Sequence, residues 1–182
     1  VIESQNENRP YGDIWLLEQI AGLTGIRSDL IKTFDGNTEI TDAVLTMAMF
    51  LLCGKGTYNQ MASWQKISRT PYTRPLTSVY VTKLTQMITE DDRMTLLKCR
   101  ASRLSKEELC AVDSTSRSAW GGSLADIRYG KNKDHLPLPQ TLEVVVYTLD
   151  GHMPVYYRSF QGNTPDSRTL ATITKDLYNA GF

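Results

Sequence analysis

Cysteine is scarce in this 182-residue chain, which holds 3: Cys53, Cys99 and Cys110. The number is odd and no Cys-x-x-Cys pair occurs, which argues against both a disulfide framework and a zinc site. Histidine is scarcer still, with 2 residues, His135 and His152, each in or beside a predicted turn where a solvated imidazole suffices. Long apolar runs are missing as well. The most apolar stretch, Ala43 to Cys53, falls short of the about 20 residues that a bilayer span needs and reads as a core helix. The 12 glycines and 7 prolines are scattered and no heptad persists, so collagen-like and coiled-coil architectures are excluded. The opening VIESQNENRP has no basic n-region and no apolar h-region. No secretory signal is therefore expected, and the chain is expected to be cytoplasmic. A start at Val1 without Met reads as a fragment or a processed chain.

Net charge is also absent, because 20 Lys and Arg balance 20 Asp and Glu. The distribution is uneven. Residues 1–60 hold 4 basic against 8 acidic groups, residues 61–135 hold 13 against 8, and residues 136–182 hold 3 against 4. Only the middle third offers a polyanion a favourable field, and from charge alone that modest excess reads first as a solvated helical surface. A composition of 41% hydrophobic and 22% charged residues is that of a folded protein and excludes wholesale disorder.

The first 104 residues read as helices. Asp13 is expected to cap one with Leu16, Ile20 and Leu23 on its buried stripe, ended by Gly25. A short helix follows over Ser28 to Phe34, then a turn at Asp35-Gly36-Asn37. From about Thr41 a third helix should bury Val44, Met47, Ala48, Leu51 and Leu52, and Gly54 and Gly56 stop it. The segment NQMASWQKI reads as another short helix and Pro71 to Pro75 as a connector. Thr77 or Ser78 caps a helix with Val81, Leu84 and Ile88 on one side. Thr89 with Glu90, Asp91 and Asp92 places carboxylates at the positive end of a further helix. Trp15 and Trp64 read as helix core.

The pattern then changes. Glu107 to Asp113 is expected to be a buried strand with a carboxylate at its far end, and Ser114 to Pro139 a polar loop. Strands over Thr141 to Leu149 and Met153 to Phe160 flank Asp150-Gly151, a hairpin signal because both residues tolerate positive φ. Thr164 should cap a last helix that has Pro165 at its first position and Leu170, Ile173 and Leu177 along its stripe, ending at Gly181. The order of helices, strand, hairpin and helix is α+β, with a domain boundary at residues 104–107.

Familiar sites can be tested against these residues. Gly54-Lys55-Gly56-Thr57 has glycine where a P-loop needs Ser or Thr after the Lys, so it reads as a helix stop. Gly121-Gly122-Ser123-Leu124-Ala125 lacks the second glycine of a nucleophile elbow. Asp113 stands apart: a lone carboxylate at a strand end beside three hydroxyl residues is a candidate divalent-metal ligand, or else a turn cap.

The run Ala111-Val112-Asp113-Ser114-Thr115-Ser116 resembles the first catalytic strand of DDE-class bacterial insertion-sequence transposases, in the insertion-sequence-4-like group. Two further segments resemble that family in the same order. They are Arg128-Tyr129-Gly130-Lys131-Asn132-Lys133-Asp134 with Leu138-Pro139-Gln140, and Phe160-Gln161-Gly162-Asn163-Thr164-Pro165-Asp166 leading into Thr169-Leu170. Together they cover residues 107–182; the TGI, LLCGKGTYNQMASWQ and PLTS stretches resemble the family's helical leader more loosely.

The resemblance implies two domains. Residues 1–104 would be a helical leader, a candidate DNA-binding or dimerisation domain. Residues 105–182 would be the first half of an RNase H-like catalytic core: strand, hairpin, helix. The parent enzyme would cleave and join DNA phosphodiesters at insertion-sequence ends by two-metal-ion chemistry with Mg²⁺ or Mn²⁺. Asp113 corresponds to the first of three carboxylates; the other two would lie beyond Phe182, so this chain alone is expected to be inactive. Asp166 is set aside as a second ligand because a carboxylate in the first turn of a helix is explained by the helix dipole. Arg128, Tyr129, Lys131 and Lys133 are the candidates for contact with the DNA backbone, the alternative being a solvated loop. The implied partners are double-stranded DNA of transposon ends and, in a homodimer, a second copy, with no membrane; the implied location is cytoplasmic and nucleoid-associated. The alternative is a non-catalytic DNA-binding or dimerisation module, a transposase remnant in which the helices do the work.

Overall fold

A computed structural model of the chain describes residues 10–54, 56–105, 107–120, 126–130 and 137–182. The chain divides into two compact units, Val1–Leu96 and Leu97–Phe182, and the division falls within a helix. The architecture is α+β, with helices through the first unit and a three-stranded antiparallel sheet followed by a helix in the second. No single helix among the described residues is long and apolar enough to cross a membrane.

The first unit contains α1 (Gly12–Leu23), α2 (Ile26–Thr33), α3 (Thr38–Cys53), α4 (Met61–Ile67), α5 (Ser78–Met87) and the first part of α6 (Glu90–Ala101). Local chemistry sets their starts. The Asn37 side chain accepts the Ile40 N–H at 3.1 Å to begin α3, and the Thr77 hydroxyl accepts the Tyr80 N–H at 3.3 Å to begin α5. Thr89 and Asp92 exchange bonds before α6: the Thr89 N–H donates to the Asp92 carboxylate at 2.7 Å and the Asp92 N–H to the Thr89 hydroxyl at 3.1 Å. Asp13, expected as the cap of α1, lies instead in its first turn. Tyr11 is the N-cap, held by its hydroxyl on Glu18 at 2.6 Å and by the Arg69 guanidinium over its ring.

The core of this unit is built from Ala43, Phe50, Met61, Tyr72, Leu76, Val81 and Leu84, with Trp64 edge-on to Phe50 at 5.4 Å. A second cluster joins Ala21, Leu30 and Leu45. Two expected stripes are rotated. On α1 the buried residues are Ile14 and Ala21, while Trp15, Leu16, Ile20 and Leu23 are exposed. Both sets have helical spacing, and only the one containing small Ala21 lets Leu30 and Leu45 pack closely against the helix. On α3 the buried face carries Thr41, Ala43, Thr46, Met49 and Phe50, whereas Ala48, Leu51 and Leu52 are exposed. Thr46 is inside because its hydroxyl accepts the Tyr72 N–H at 3.0 Å, a partner 26 residues away.

The connector before α5 is held by Thr46 of α3, by its own Thr70, whose hydroxyl donates to the Tyr72 carbonyl at 2.8 Å, and by a side chain of α4. Gln65, buried on α4, donates to the carbonyls of Tyr72 and Arg74 at 2.9 and 3.2 Å and accepts the Leu76 N–H at 2.7 Å.

In the second unit β1 (Cys110–Ser118), β2 (Gln140–Thr148) and β3 (Pro154–Gln161) form an antiparallel sheet in the order β1-β2-β3. β1 differs from the expected Glu107 to Asp113 strand. It starts later, runs on through Ser114–Ser118, and is partly exposed along its length rather than buried. Its pairing from Cys110↔Thr148 to Ser118↔Gln140 explains this, because the ladder supplied by β2 outweighs the low hydrophobicity of the serines. The hairpin between β2 and β3 forms where expected, but the left-handed residue is His152 (φ 50°). Thr148 accounts for the longer loop: its hydroxyl accepts the Met153 N–H at 3.0 Å, and its own N–H donates to the Met153 carbonyl at 3.0 Å. α7 (Asp166–Ala180) follows, with Pro165 rather than Thr164 at its N-cap and Gly181 in the left-handed conformation closing it.

Candidate functional site

Asp113 is the fourth residue of β1, opposite Val145, and is exposed. The expectation of a carboxylate at the end of a buried strand is therefore corrected: the strand continues past it, and the position is open. Strand alternation places Asp113 with Thr115 and Arg117 on one face, joined by Val145 and Glu143 of β2 and Tyr157 of β3 in register. The other face carries Val112, Val144, Val146, Tyr156 and Arg158; α7 lies on it over buried Val144, Val146 and Tyr156, while Val112 on the edge strand stays exposed. The Asp176 carboxylate of α7 accepts the Tyr156 hydroxyl at 2.9 Å and also binds the Arg158 guanidinium. Asp113 thus stands on the face that α7 leaves open.

The acid nearest to Asp113 by register is Glu143, diagonal to it across the strand pair. Glu143 faces Arg117 at 3.3 Å. Asp113 itself accepts the Ser114 N–H at 2.8 Å. Among the described residues no group of three His, Cys, Asp or Glu could hold a metal ion. The Mg²⁺ or Mn²⁺ pair implied by the resemblance needs several carboxylates on adjacent ions, and Asp113 with an arginine-paired Glu143 does not supply them. Asp166 is the first residue of α7.

Of the expected DNA-contacting group, Arg128 and Tyr129 are held in place by Gln140. Gln140, buried at the start of β2, exchanges two backbone bonds with Arg128 at 2.9 and 3.0 Å, and its side-chain amide donates to the Gly162 carbonyl at 3.1 Å. The loop bearing Arg128 and Tyr129 is thereby fixed beside the turn that leads into α7. Tyr129 is 73% exposed, so its ring is presented to solvent rather than to the core. Arg128 donates to the Ile127 carbonyl at 2.6 Å. Lys131 and Lys133 lie outside the described residues.

Sequence reasoning missed Asp176, Arg158 and Arg168. The available signal was the i, i+4, i+8 spacing of Arg168, Thr172 and Asp176, which puts all three on one stripe of α7.

No protein-family model, curated protein or solved structure matches this chain.

Proposed function

We propose that this chain is part of a DDE-class DNA transposase: a helical leader followed by the opening half of an RNase H-like core, from an enzyme that cleaves and joins DNA phosphodiesters at insertion-sequence ends. The observation that carries the reading is the succession β1, hairpin β2–β3 and α7, paired antiparallel, with Asp113 on the sheet face that α7 does not cover. A carboxylate presented this way is accessible to a phosphodiester and to ligands contributed by other segments. The fixed Arg128–Tyr129 loop supports it, since it offers a cation and an aromatic ring for a DNA backbone. The described residues do not complete a two-ion centre, so no catalytic step through a metal follows from them.

Binding of the 182-residue chain to duplex DNA tests the reading. Affinity should fall steeply with salt and show little sequence preference, because phosphates are the contacts expected. Salt-insensitive binding, or binding unchanged when Arg128, Lys131 and Lys133 are all replaced by Ala, would contradict it.

One observation favours the alternative of a dimerisation module: Leu16, Ile20 and Leu23 form an exposed apolar stripe on α1. Under that reading Ile20→Lys converts a dimer into a monomer in sedimentation equilibrium. Under the transposase reading the DNA affinity is what responds to mutation, through the basic residues.

A further inference from the structure

We propose that a cavity between the end of β3 and the first two turns of α7 is a phosphate-binding site, with Arg168 as its anchoring cation. The cavity measures about 460 Å³ and its wall includes Asp126, Arg158, Phe160, Thr164, Arg168 and Thr172. Its size lies in the range of small-ligand sites, roughly 300–1,000 Å³, but its lining is dominated by charged and hydroxyl groups rather than apolar ones. An apolar occupant is thus disfavoured, and the charged groups decide what fits.

The two arginines have different duties. Arg158 is bound to Asp176, which also accepts the Tyr156 hydroxyl at 2.9 Å, and its guanidinium lies 5.9 Å from the centre of the Phe160 ring. Its charge is largely answered within the protein. Arg168 sits two turns earlier on the same stripe of α7 and makes no side-chain ion pair or hydrogen bond among the described residues. The Thr164 hydroxyl, whose backbone N–H is spent on the Gln161 carbonyl at 2.9 Å, is likewise without a partner among them. A guanidinium fork and a hydroxyl donor facing one cavity match the oxygens of a phosphate group, which a fork can grip through two parallel N–H bonds. Thr172 contributes an acceptor only, since its hydroxyl donates to the Arg168 carbonyl at 3.0 Å.

Asp126 sets the affinity and the ionic form. Its carboxylate opposes a dianion, so the site should be weak, and it should favour a phosphate monoanion, whether protonated or doubly esterified, over the dianion. The opposing acid also gives a diagnostic sign: removing Arg168 weakens binding, whereas removing the charge of Asp126 strengthens it. A loss of structure would weaken both.

The test uses the 182-residue chain titrated with inorganic phosphate, followed by amide chemical shifts, with chloride at equal ionic strength as the control. Saturable shifts at Thr164, Arg168 and Thr172 in the millimolar range are expected. Arg168→Gln should weaken binding about fivefold or more and Asp126→Asn tighten it about threefold, both with unchanged urea midpoints. Shifts that fail to saturate, that chloride reproduces, or that respond alike to both substitutions would overturn the site. A second arm uses a duplex DNA. If the bound group is a backbone phosphodiester, phosphate competes with DNA and Arg168→Gln lowers the salt slope by about one; if it is a free phosphate or small ester, phosphate saturates the cavity without affecting DNA. DNA binding with no phosphate response at these residues would remove this site and leave the transposase reading intact.

Discussion

Gly130 and Gly162 meet backbone against backbone: a Cβ on Gly130 would fall 2.1 Å from the Gly162 carbonyl oxygen. A Cβ on Gly162 would in turn lie 2.1 Å from the Gln140 carbonyl oxygen and 2.7 Å from that of Arg128. Neither glycine takes a positive φ, so the requirement for glycine is one of space. The obstructing atoms are backbone and cannot swing aside. Gly162→Ala should therefore cost about 2–3 kcal/mol, from overpacking and from the strained Gln140 bridge. Urea denaturation measures it, and a change below about 0.5 kcal/mol would show that the loop is not held as described. The same substitution should release Arg128 and Tyr129 and weaken DNA binding under the proposed function.

In the helical unit Gln65 replaces a piece of secondary structure. Its amide bonds the carbonyls of Tyr72 and Arg74 and the N–H of Leu76, and the Thr70 hydroxyl shares the Tyr72 carbonyl at 2.8 Å. Gln65→Leu keeps the approximate volume but strips the buried Leu76 N–H and the Arg74 carbonyl of this partner, while the Tyr72 carbonyl keeps the Thr70 hydroxyl at 2.8 Å; the cost is about 1–3 kcal/mol for each group left without water. A loss of about 3 kcal/mol in total is expected. Gln65→Glu should be nearly as damaging, because a carboxylate can accept from Leu76 but cannot donate to the two carbonyls. A harmless Gln65→Leu would disprove the clamp.

Burial, together with the hydrogen bond and charge of neighbouring Tyr80, pushes the Tyr72 hydroxyl up to about 12 from its usual 10.0. Tyr72 is 4% exposed and its ring stacks on Tyr80 at 5.6 Å. The group is neutral when protonated, so a raised native value means the folded state holds its proton more tightly than the unfolded chain. Its contribution is complete below pH about 10 and is lost as pH rises from there through about 12. Stability of the helical unit should decline over that window, and Tyr72→Phe should flatten the decline. An unaltered alkaline profile in Tyr72→Phe would refute the assignment.

Much of this architecture is local and so was legible in the sequence. Caps and stops are short-range chemistry: Thr77, the acids after Thr89, and Gly181 act within a few residues of themselves, and the corresponding helices begin or end where expected. The α+β order follows from the change in hydrophobic period after Leu104. Rotations were not legible, because α1 has two stripes of helical spacing and the choice depends on Leu30 and Leu45 accepting Ala21. β1 was placed too early for a similar reason. Its serines carry little strand signal, and only the partner β2 makes Ser114–Ser118 a strand. At the site, the sequence puts Asp113 at the end of a buried strand, whereas it lies within β1 on the open face, because that depends on the β2 ladder and on which side α7 packs. The pairing of Arg158 with Asp176 spans 18 residues and two elements, a distance at which sequence spacing carries no information.

The open position of Asp113 separates its two roles experimentally. An exposed side chain opposite Val145, bonded to the adjacent Ser114 N–H, contributes little to folding, so Asp113→Asn should change stability by no more than about 0.5 kcal/mol. In a complete enzyme of the proposed kind the same substitution should abolish DNA cleavage, because it deletes the charge a divalent ion requires and keeps the shape. The 182-residue chain is expected neither to cleave nor to join DNA with any metal supplied. Two ions about 4 Å apart need ligands beyond a single shared carboxylate to displace their waters and fix in-line geometry. Glu143 is the acid that could overturn this expectation, since it lies diagonal to Asp113 on the same face, where Arg117 faces it at 3.3 Å. A nicking assay with Mg²⁺ and Mn²⁺ decides between the two. Metal-dependent cleavage that survives purification and disappears in Glu143→Gln would mean that the sheet face itself completes the ligand set. Cleavage that persists in Asp113→Asn would remove Asp113 from the chemistry altogether.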